Sequence, residues 1–351
     1  MYKRQPAFLL GALLAEAMPI WPAIISGSLG YLIVVVGMVA TGMIGCDLGL
    51  ASCTCCQAGF GKSGARFIVS TIFAVNMIGW FGIQNGVCGE AFSNAMLAMT
   101  GWDIPVVVSN TIWGIIMLLT AVYGVHALEK LDKISIPLLM IIMCYGIFLA
   151  FKVYGTGNLN DEGTVQSMSF MSGVALSFNF TAVGTITGPD YTRFQKSRKD
   201  TVKSVFYGVF PMGVITLIMG IVLTKLSGQY DISMVLIEVG LPLLGIIALV
   251  ISTWTTNSTN AYSAGLNIVM ALKLKDNRRR EATLISGIVG IVLCDLGILG
   301  HVEGVLSLLS YVVCPVGGVI LADYWVVGKG KAKNFRPQDG VNSVSYTHLT
   351  L

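Results

Sequence analysis

Two stretches of this 351-residue chain put polar side chains where apolar ones would be expected. The first is Gly79-Trp80-Phe81-Gly82-Ile83-Gln84-Asn85. On a helix Trp80 and Gln84 are four residues apart and share a face, with Gly82 thinning the neighbouring surface. An indole plane beside an amide can hold a flat heterocycle, stacking on the ring and hydrogen bonding its edge. A tryptophan at a lipid interface is the alternative, and the position of Trp80 well inside an apolar run stands against it. The second stretch surrounds Trp254-Thr255-Thr256-Asn257-Ser258-Thr259-Asn260. Ser252, Thr255 and Thr256 recur at i, i+3 and i+4, so three hydroxyls share one face. Hydroxyl and carbonyl oxygens suit a hard cation such as sodium without a carboxylate. Asn257 and Asn260 could read a polar ring edge, while all of these residues could equally bond neighbouring helices together.

The elements that must position them are membrane spans. Hydrophobic residues make up 54% of the chain and charged ones 11%, against roughly 25% charged in soluble domains. Mean hydropathy is +0.76. In hydrocarbon an unsatisfied polar group costs several kcal/mol, so polar clusters at that depth face partners or a water-filled cavity. The chain therefore reads as a polytopic, all-α membrane protein that handles a small polar solute. Apolar runs predict spans at about Ala7–Ala17, Trp21–Ile44, Phe67–Met99, Ile104–Tyr123, Ile136–Val153, Ser169–Thr187, Val202–Thr224, Leu241–Met270, Thr283–Leu299 and Val305–Leu321. A span needs roughly 20 residues, so the first is only partial.

Basic residues orient these spans. Eighteen Lys and Arg fall in the loops after the even-numbered spans, and only Lys152 and Lys225 in the others, Lys3 and Arg4 aside. The positive-inside rule places the basic loops in the cytoplasm, and the protein in the cytoplasmic (inner) membrane. That placement also accounts for the net charge of +4 without a nucleic-acid partner. No cleavable signal peptide is evident. Cys53, Cys55 and Cys56 cluster without zinc-ligand spacing, which predicts packed, reduced thiols. No phosphate loop, nucleophile–base pair or closed metal set is found, so an enzyme is not expected.

The two ends, Met1–Gln5 and Val344–Leu351, share no chemistry with the rest and look like translations of one sequencing adapter. Residues 1–5 and 344–351 are expected to be adapter-derived, leaving a transporter domain over residues 6–343, cut at both sides. Ten spans suggest two sets of five, repeat one at about 7–153 and repeat two at about 169–321. Five is odd, so the sets enter the membrane from opposite sides, an arrangement that places a substrate site at the midplane beside broken helices. The break in the sixth span is expected at Gly184 and Thr187-Gly188-Pro189.

Gly79-Trp80-Phe81-Gly82, Pro189-Asp190-Tyr191-Thr192-Arg193-Phe194, Trp254-Thr255-Thr256-Asn257 with Asn260 and Tyr262, and Pro315-Val316-Gly317-Gly318-Val319-Ile320-Leu321-Ala322-Asp323-Tyr324 together resemble the nucleobase–cation symporters, in the cytosine permease branch. The resemblance runs from Gly11 to about Asp323. It implies a five-plus-five inverted-repeat fold with two further C-terminal helices. It also implies that Trp80 stacks on the base, Gln84 approaches its edge, and Asn257 and Asn260 meet substrate. Ser252, Thr255 and Thr256 match half of a sodium site, the other half coming from first-helix carbonyls. A second aromatic on the sixth helix would fall at Asn179-Phe180-Thr181, and Phe180 fits after a one-residue slip, with Thr181 beside it.

The function implied is import of cytosine or a related nucleobase by sodium symport with alternating access, in a lipid bilayer and without any cofactor. Other flat heterocycles (uracil, a hydantoin, allantoin, a thiamine precursor) are alternatives, as is proton coupling through Asp295. A non-transporting receptor or structural subunit is the reading from a different class. Asp190 and Arg193 are expected to form a local structural pair. Among acids near the membrane, Glu16, Glu90 and Glu238 fall toward outer span ends, and Asp295 is the least easily accommodated.

Overall fold

The computed structural model describes residues 6–156, 159, 167–228, 236 and 241–342. Helix α1 covers Pro6–Ala17, α2 Ile20–Leu48, α3 Lys62–Thr100, α4 Val106–Tyr123 and α5 Val125–Tyr154. Helix α6 covers Phe170–Thr192 in two pieces, α7 Arg198–Ser227, α8 Pro242–Ala271, α9 Arg279–Asp295 and α10 Val302–Leu321. Two of the ends show why the boundaries fall where they do. Gly49 closes α2 at φ 67° and Gly101 closes α3 at φ 74°, left-handed conformations that a Cβ would strain. Short helical turns at Ser52–Cys55 and Gln57–Phe60 link α2 to α3.

Each expected span corresponds to one of these helices, but only seven are both long and apolar enough to cross a membrane by themselves. The other three are α1, with 12 residues, α9, with 17, and α8. Helix α8 is long enough at 30 residues; its run of Thr, Ser and Asn dilutes its hydropathy. That is the stretch expected to face partners rather than lipid.

The packing repeats when five is added to each helix number. Helix α2 packs on α6 as α7 packs on α1, and α3 packs on α9 as α8 packs on α4. Helix α5 lies against α7 and α8 as α10 lies against α2 and α3, while the equivalent pairs α2–α7, α3–α8 and α4–α9 each meet. This is the signature of an inverted repeat. It sorts the helices into one group of α1, α2, α6 and α7 and another of α3, α4, α8 and α9. Close approach in the second group runs through glycine: a Cβ on Gly82 would lie 3.0 Å from the Gly290 carbonyl oxygen. Gly82 therefore serves the α3–α9 crossing, rather than thinning the surface around Trp80.

The break in α6 lies upstream of its expected place. The helix interrupts at Ala182 and Val183, between Phe170–Thr181 and Gly184–Thr192, and Pro189 sits inside the second piece. Proline disturbs the backbone one turn before itself, because its ring crowds the carbonyl four residues back and it has no N–H to donate. That carbonyl is Thr185. Just ahead of it the chain tightens, Thr185 N–H bonding to the Ala182 carbonyl at 3.0 Å and Ile186 N–H to that of Val183 at 3.1 Å. The Thr185 carbonyl accepts instead from the Thr41 hydroxyl of α2, at 2.7 Å. At the other piece, the Asn179 carbonyl accepts from the Ser310 hydroxyl of α10, at 3.1 Å.

The basic loops gather at one end. Arg198 grips Asp47 with two nitrogens, Nε at 2.9 Å and Nη2 at 2.5 Å from Oδ2, and donates to the Gly330 carbonyl at 2.5 Å. Tyr324 donates to the same carboxylate at 2.5 Å, and the guanidinium lies 5.0 Å over the Trp325 ring. The segment after α10 lies along the α2–α3 connection: Lys62 N–H bonds to the Gln338 carbonyl at 2.8 Å, Ser63 N–H to that of Gly340 at 2.9 Å, and Lys62 Nζ pairs with Asp339 at 2.7 Å. Loops that the basic residues assign to one side thus touch one another.

Candidate substrate site

Trp80 and Phe180 meet across the junction of the two helix groups. Their ring centroids are 6.4 Å apart, with the planes inclined at 66°. Both are buried in one apolar cluster with Leu10, Leu13, Leu14, Ile83 and Leu309. The spacing of i, i+4 on α3 brings Trp80 to this junction, and the interruption just after Thr181 leaves Phe180 on the last turn of the first piece of α6. A parallel pair enclosing a third ring would need about 7 Å between planes, two stacking distances, so the inclined pair would have to realign to sandwich a ring.

Gln84, one turn further along α3, is buried, at 2% exposed. Thr181 is half-buried and its hydroxyl donates to the Ser177 carbonyl within the helix, at 3.0 Å.

The polar face of α8 divides in two. Asn257 is fully buried: its amide nitrogen donates to the Phe81 carbonyl at 3.2 Å and approaches the Met117 sulfur at 3.5 Å, while its amide oxygen has no hydrogen-bond partner among the described residues. Ser258 likewise donates to the Met117 carbonyl at 3.0 Å. These residues hold α8 to α3 and α4. Asn260 is half-buried. Ser252 and Thr255 are half-buried and Thr256 is exposed; all three hydroxyls donate back into α8, to the carbonyls of Leu249, Ser252 and Ser252, at 3.0, 3.1 and 3.2 Å. Because the protons are spent on the helix, the oxygen lone pairs remain free to accept, and three such oxygens on one face fit a hard cation's preference.

Asp190 and Arg193 do not form an ion pair among the described residues. Asp190 accepts instead from the Ser52 backbone N–H, at 2.8 Å, tying α6 to the short turn after α2, while the Arg193 guanidinium lies 4.6 Å over the Phe194 ring. Of the acids, Glu16 is exposed, Glu90 half-buried, and Glu238 lies outside the described residues. Asp295 ends α9 half-buried and accepts from the Asn110 amide at 3.2 Å; the Asn110 carbonyl in turn accepts from Asn85 at 2.9 Å. This relay links α9, α4 and α3, and ends beside Gln84.

Several residues of consequence escaped the sequence reading: Asn76, Thr41, Asn110 and the Asp47–Arg198–Tyr324 group. Asn76 carried the one legible signal, lying four residues before Trp80 as Gln84 lies four after it. Cys53, Cys55 and Cys56 pack with Ile44, Phe60 and Phe73. Burial pushes the thiols of Cys53 and Cys55 up to about 12.

Two five-helix sets that pack alike, with a broken helix at their junction, have the architecture of a membrane transporter. A family described as permease for cytosine/purines, uracil, thiamine, allantoin matches residues 6–338. Cytosine permease of Escherichia coli strain K12 is 32% identical over 287 residues, covering 81% of this chain and 65% of that protein. Allantoin permease of Bacillus subtilis is 24% identical, covering 91% and 72% respectively. Among solved structures, the transporter Mhp1 of the nucleobase-cation-symport-1 family, closed with bromovinylhydantoin bound, superposes with a TM-score of 0.82 at 18% identity, covering 99% of this chain and 82% of that one. The chain belongs to this nucleobase permease family. It spans about two thirds of the length of that E. coli permease.

Proposed function

We propose that this protein imports cytosine, or a closely related nucleobase, across the cytoplasmic membrane by sodium symport. The observation that carries the reading is the junction itself: Trp80 and Phe180 meet across the helix groups beside the buried Gln84 amide, at the break of α6. The base stacks on Trp80, and closure of the junction around it brings Phe180 toward a parallel plane. Sodium is the co-transported ion, held on one side by the oxygens of Ser252, Thr255 and Thr256. Ion and substrate assist each other because both favour the conformation in which the helix groups close, and linkage makes that assistance reciprocal. Rocking of one group against the other then exposes the site to each side in turn.

Relatives that carry purine, uracil, allantoin and hydantoin names keep other flat heterocycles open as substrates. The Asp295–Asn110–Asn85 relay supports proton coupling as a second reading. Uptake of labelled cytosine by permease-deficient bacteria expressing the complete gene tests the substrate, with unlabelled cytosine, uracil, hydantoin and allantoin as competitors. Strongest competition by cytosine supports the proposal. Competition by another heterocycle alone reassigns the substrate.

A further inference from the structure

Asn76 stands one turn before Trp80 on α3. It is 1% exposed, and both its amide nitrogen and its amide oxygen lack a hydrogen-bond partner among the described residues. Its surroundings follow from the face of α3 that carries it, Val69, Phe73, Asn76, Trp80 and Ile83, with alternating steps of four and three residues. Val69 and Phe73 pack with Ile186 of α6 and with Val313 and Val316 of α10. Trp80 and Ile83 pack with Phe180 of α6 and Leu309 of α10. Val183, at the break in α6, borders both clusters. Asn76 therefore points at the level of the break, between two apolar clusters that give it nothing to bond.

The amide offers a donor and an acceptor side by side and carries no charge. Its complement is a neutral group with an adjacent acceptor and donor, such as the edge of a nucleobase, rather than a cation or a carboxylate. At 1.5 Å of rise per residue, Asn76 and Gln84 flank Trp80 at about 6 Å on either side along the helix axis. A ring stacked on the indole would present one edge to each.

We propose that Asn76 is a specificity-determining residue that hydrogen bonds one edge of the stacked heterocycle while Gln84 reads the other. This rests on the nucleobase reading above. The test is thermal-shift titration of purified wild type, Asn76→Leu and Asn76→Ala, expressed from the complete gene, with cytosine, uracil and hydantoin. The two pyrimidines differ in donor and acceptor order along one edge, so they probe that contact directly. The expected result is an Asn76→Leu protein that melts no lower than wild type without ligand, because an unpaired buried amide has been removed. Cytosine affinity should fall about tenfold or more in both variants, the loss of one buried hydrogen-bonding partner, with an altered cytosine-to-uracil ratio. Unchanged affinity and an unchanged ratio in either folded variant would overturn the assignment of Asn76 and leave the nucleobase reading standing. A wild type that none of the three heterocycles stabilises overturns both.

Discussion

Phe180 meets Trp80 edge-on, 6.4 Å away, across the boundary between the two groups of helices. Two rings so placed have lost little by parting, since an inclined aromatic pair contributes about 0.5–1.5 kcal/mol beyond its buried area. Stacking of a base on an aromatic is worth about 1–3 kcal/mol. Trp80→Ala should therefore weaken substrate binding by roughly 10–100-fold, and Trp80→Phe by less. Phe180→Ala should fall between them. Equilibrium binding of labelled substrate to purified protein measures all three, and equal affinity in Trp80→Ala would remove the stacking site.

Asp47 and Arg198 join the ends of α2 and α7 to Tyr324 and Gly330 beyond α10. Two parallel bonds to one carboxylate are the strong form of a charged pair. If that group closes the basic end, Asp47→Asn should raise access from that side. Cys46, half-buried with its thiol toward the Gln195 carbonyl, reports on it. Its labelling by an impermeant maleimide in inside-out vesicles should quicken about tenfold, equivalent to roughly 1.4 kcal/mol, in a background where the other cysteines are replaced. An unchanged rate would mean the pair does not gate that end.

Thr41→Val removes the hydroxyl that satisfies the Thr185 carbonyl, at nearly constant volume. A buried carbonyl left without a donor costs about 1–3 kcal/mol. The variant should melt a few degrees lower, about 2–4 °C per kcal/mol in proteins of 150–250 residues and less in larger ones. A melting temperature equal to wild type would show that water replaces the hydroxyl at the break.

Cys53 and Cys55 have thiols pushed up to about 12 by burial, and Asp190 adds to the shift by opposing a second negative charge nearby. The reactive species is the thiolate, so these thiols stay protonated and inert at pH 8. Alkylation should leave both unmodified in native protein and modify both after denaturation in detergent. As pH rises toward 12, native reactivity should increase. Mass spectrometry of the peptides decides this, and rapid native labelling at pH 8 would contradict the packing described.

Much of the fold was legible because membrane spans are local signals: a run of apolar residues and a cluster of basic ones each declare themselves within a short window. All ten helices lie within a few residues of the apolar runs, except α5, which begins eleven residues earlier, at Val125. That extra length is the charged stretch through Lys133, too polar for a hydropathy reading. What was misread depended on distance. Asp190 and Arg193 looked paired because they are three residues apart, yet the partner of Asp190 is Ser52, 138 residues away. Gly184, one of the expected break positions in α6, borders the interruption, whereas Thr187-Gly188-Pro189 lies inside the second piece because a proline acts on the turn before it. Asn257 shares a stretch with Ser252 and Thr255, and the bond of its amide nitrogen to the Phe81 carbonyl of α3 is a contact that no local pattern records. Trp80 and Gln84 were recognisable by type and spacing; Asn76 has the same spacing, but only its lack of partners in the folded protein marks it.

The central claim is coupled transport through the Trp80 site, and reconstituted uptake tests it most directly. Protein expressed from the complete gene is placed in liposomes with labelled cytosine outside, under an inward sodium gradient, an inward proton gradient, or neither. The account predicts accumulation driven by sodium, blocked by unlabelled cytosine and abolished in Trp80→Ala. Accumulation driven by the proton gradient alone would contradict sodium coupling and favour the Asp295 relay. No cytosine accumulation under either gradient, from protein that folds and inserts, would contradict the claim itself.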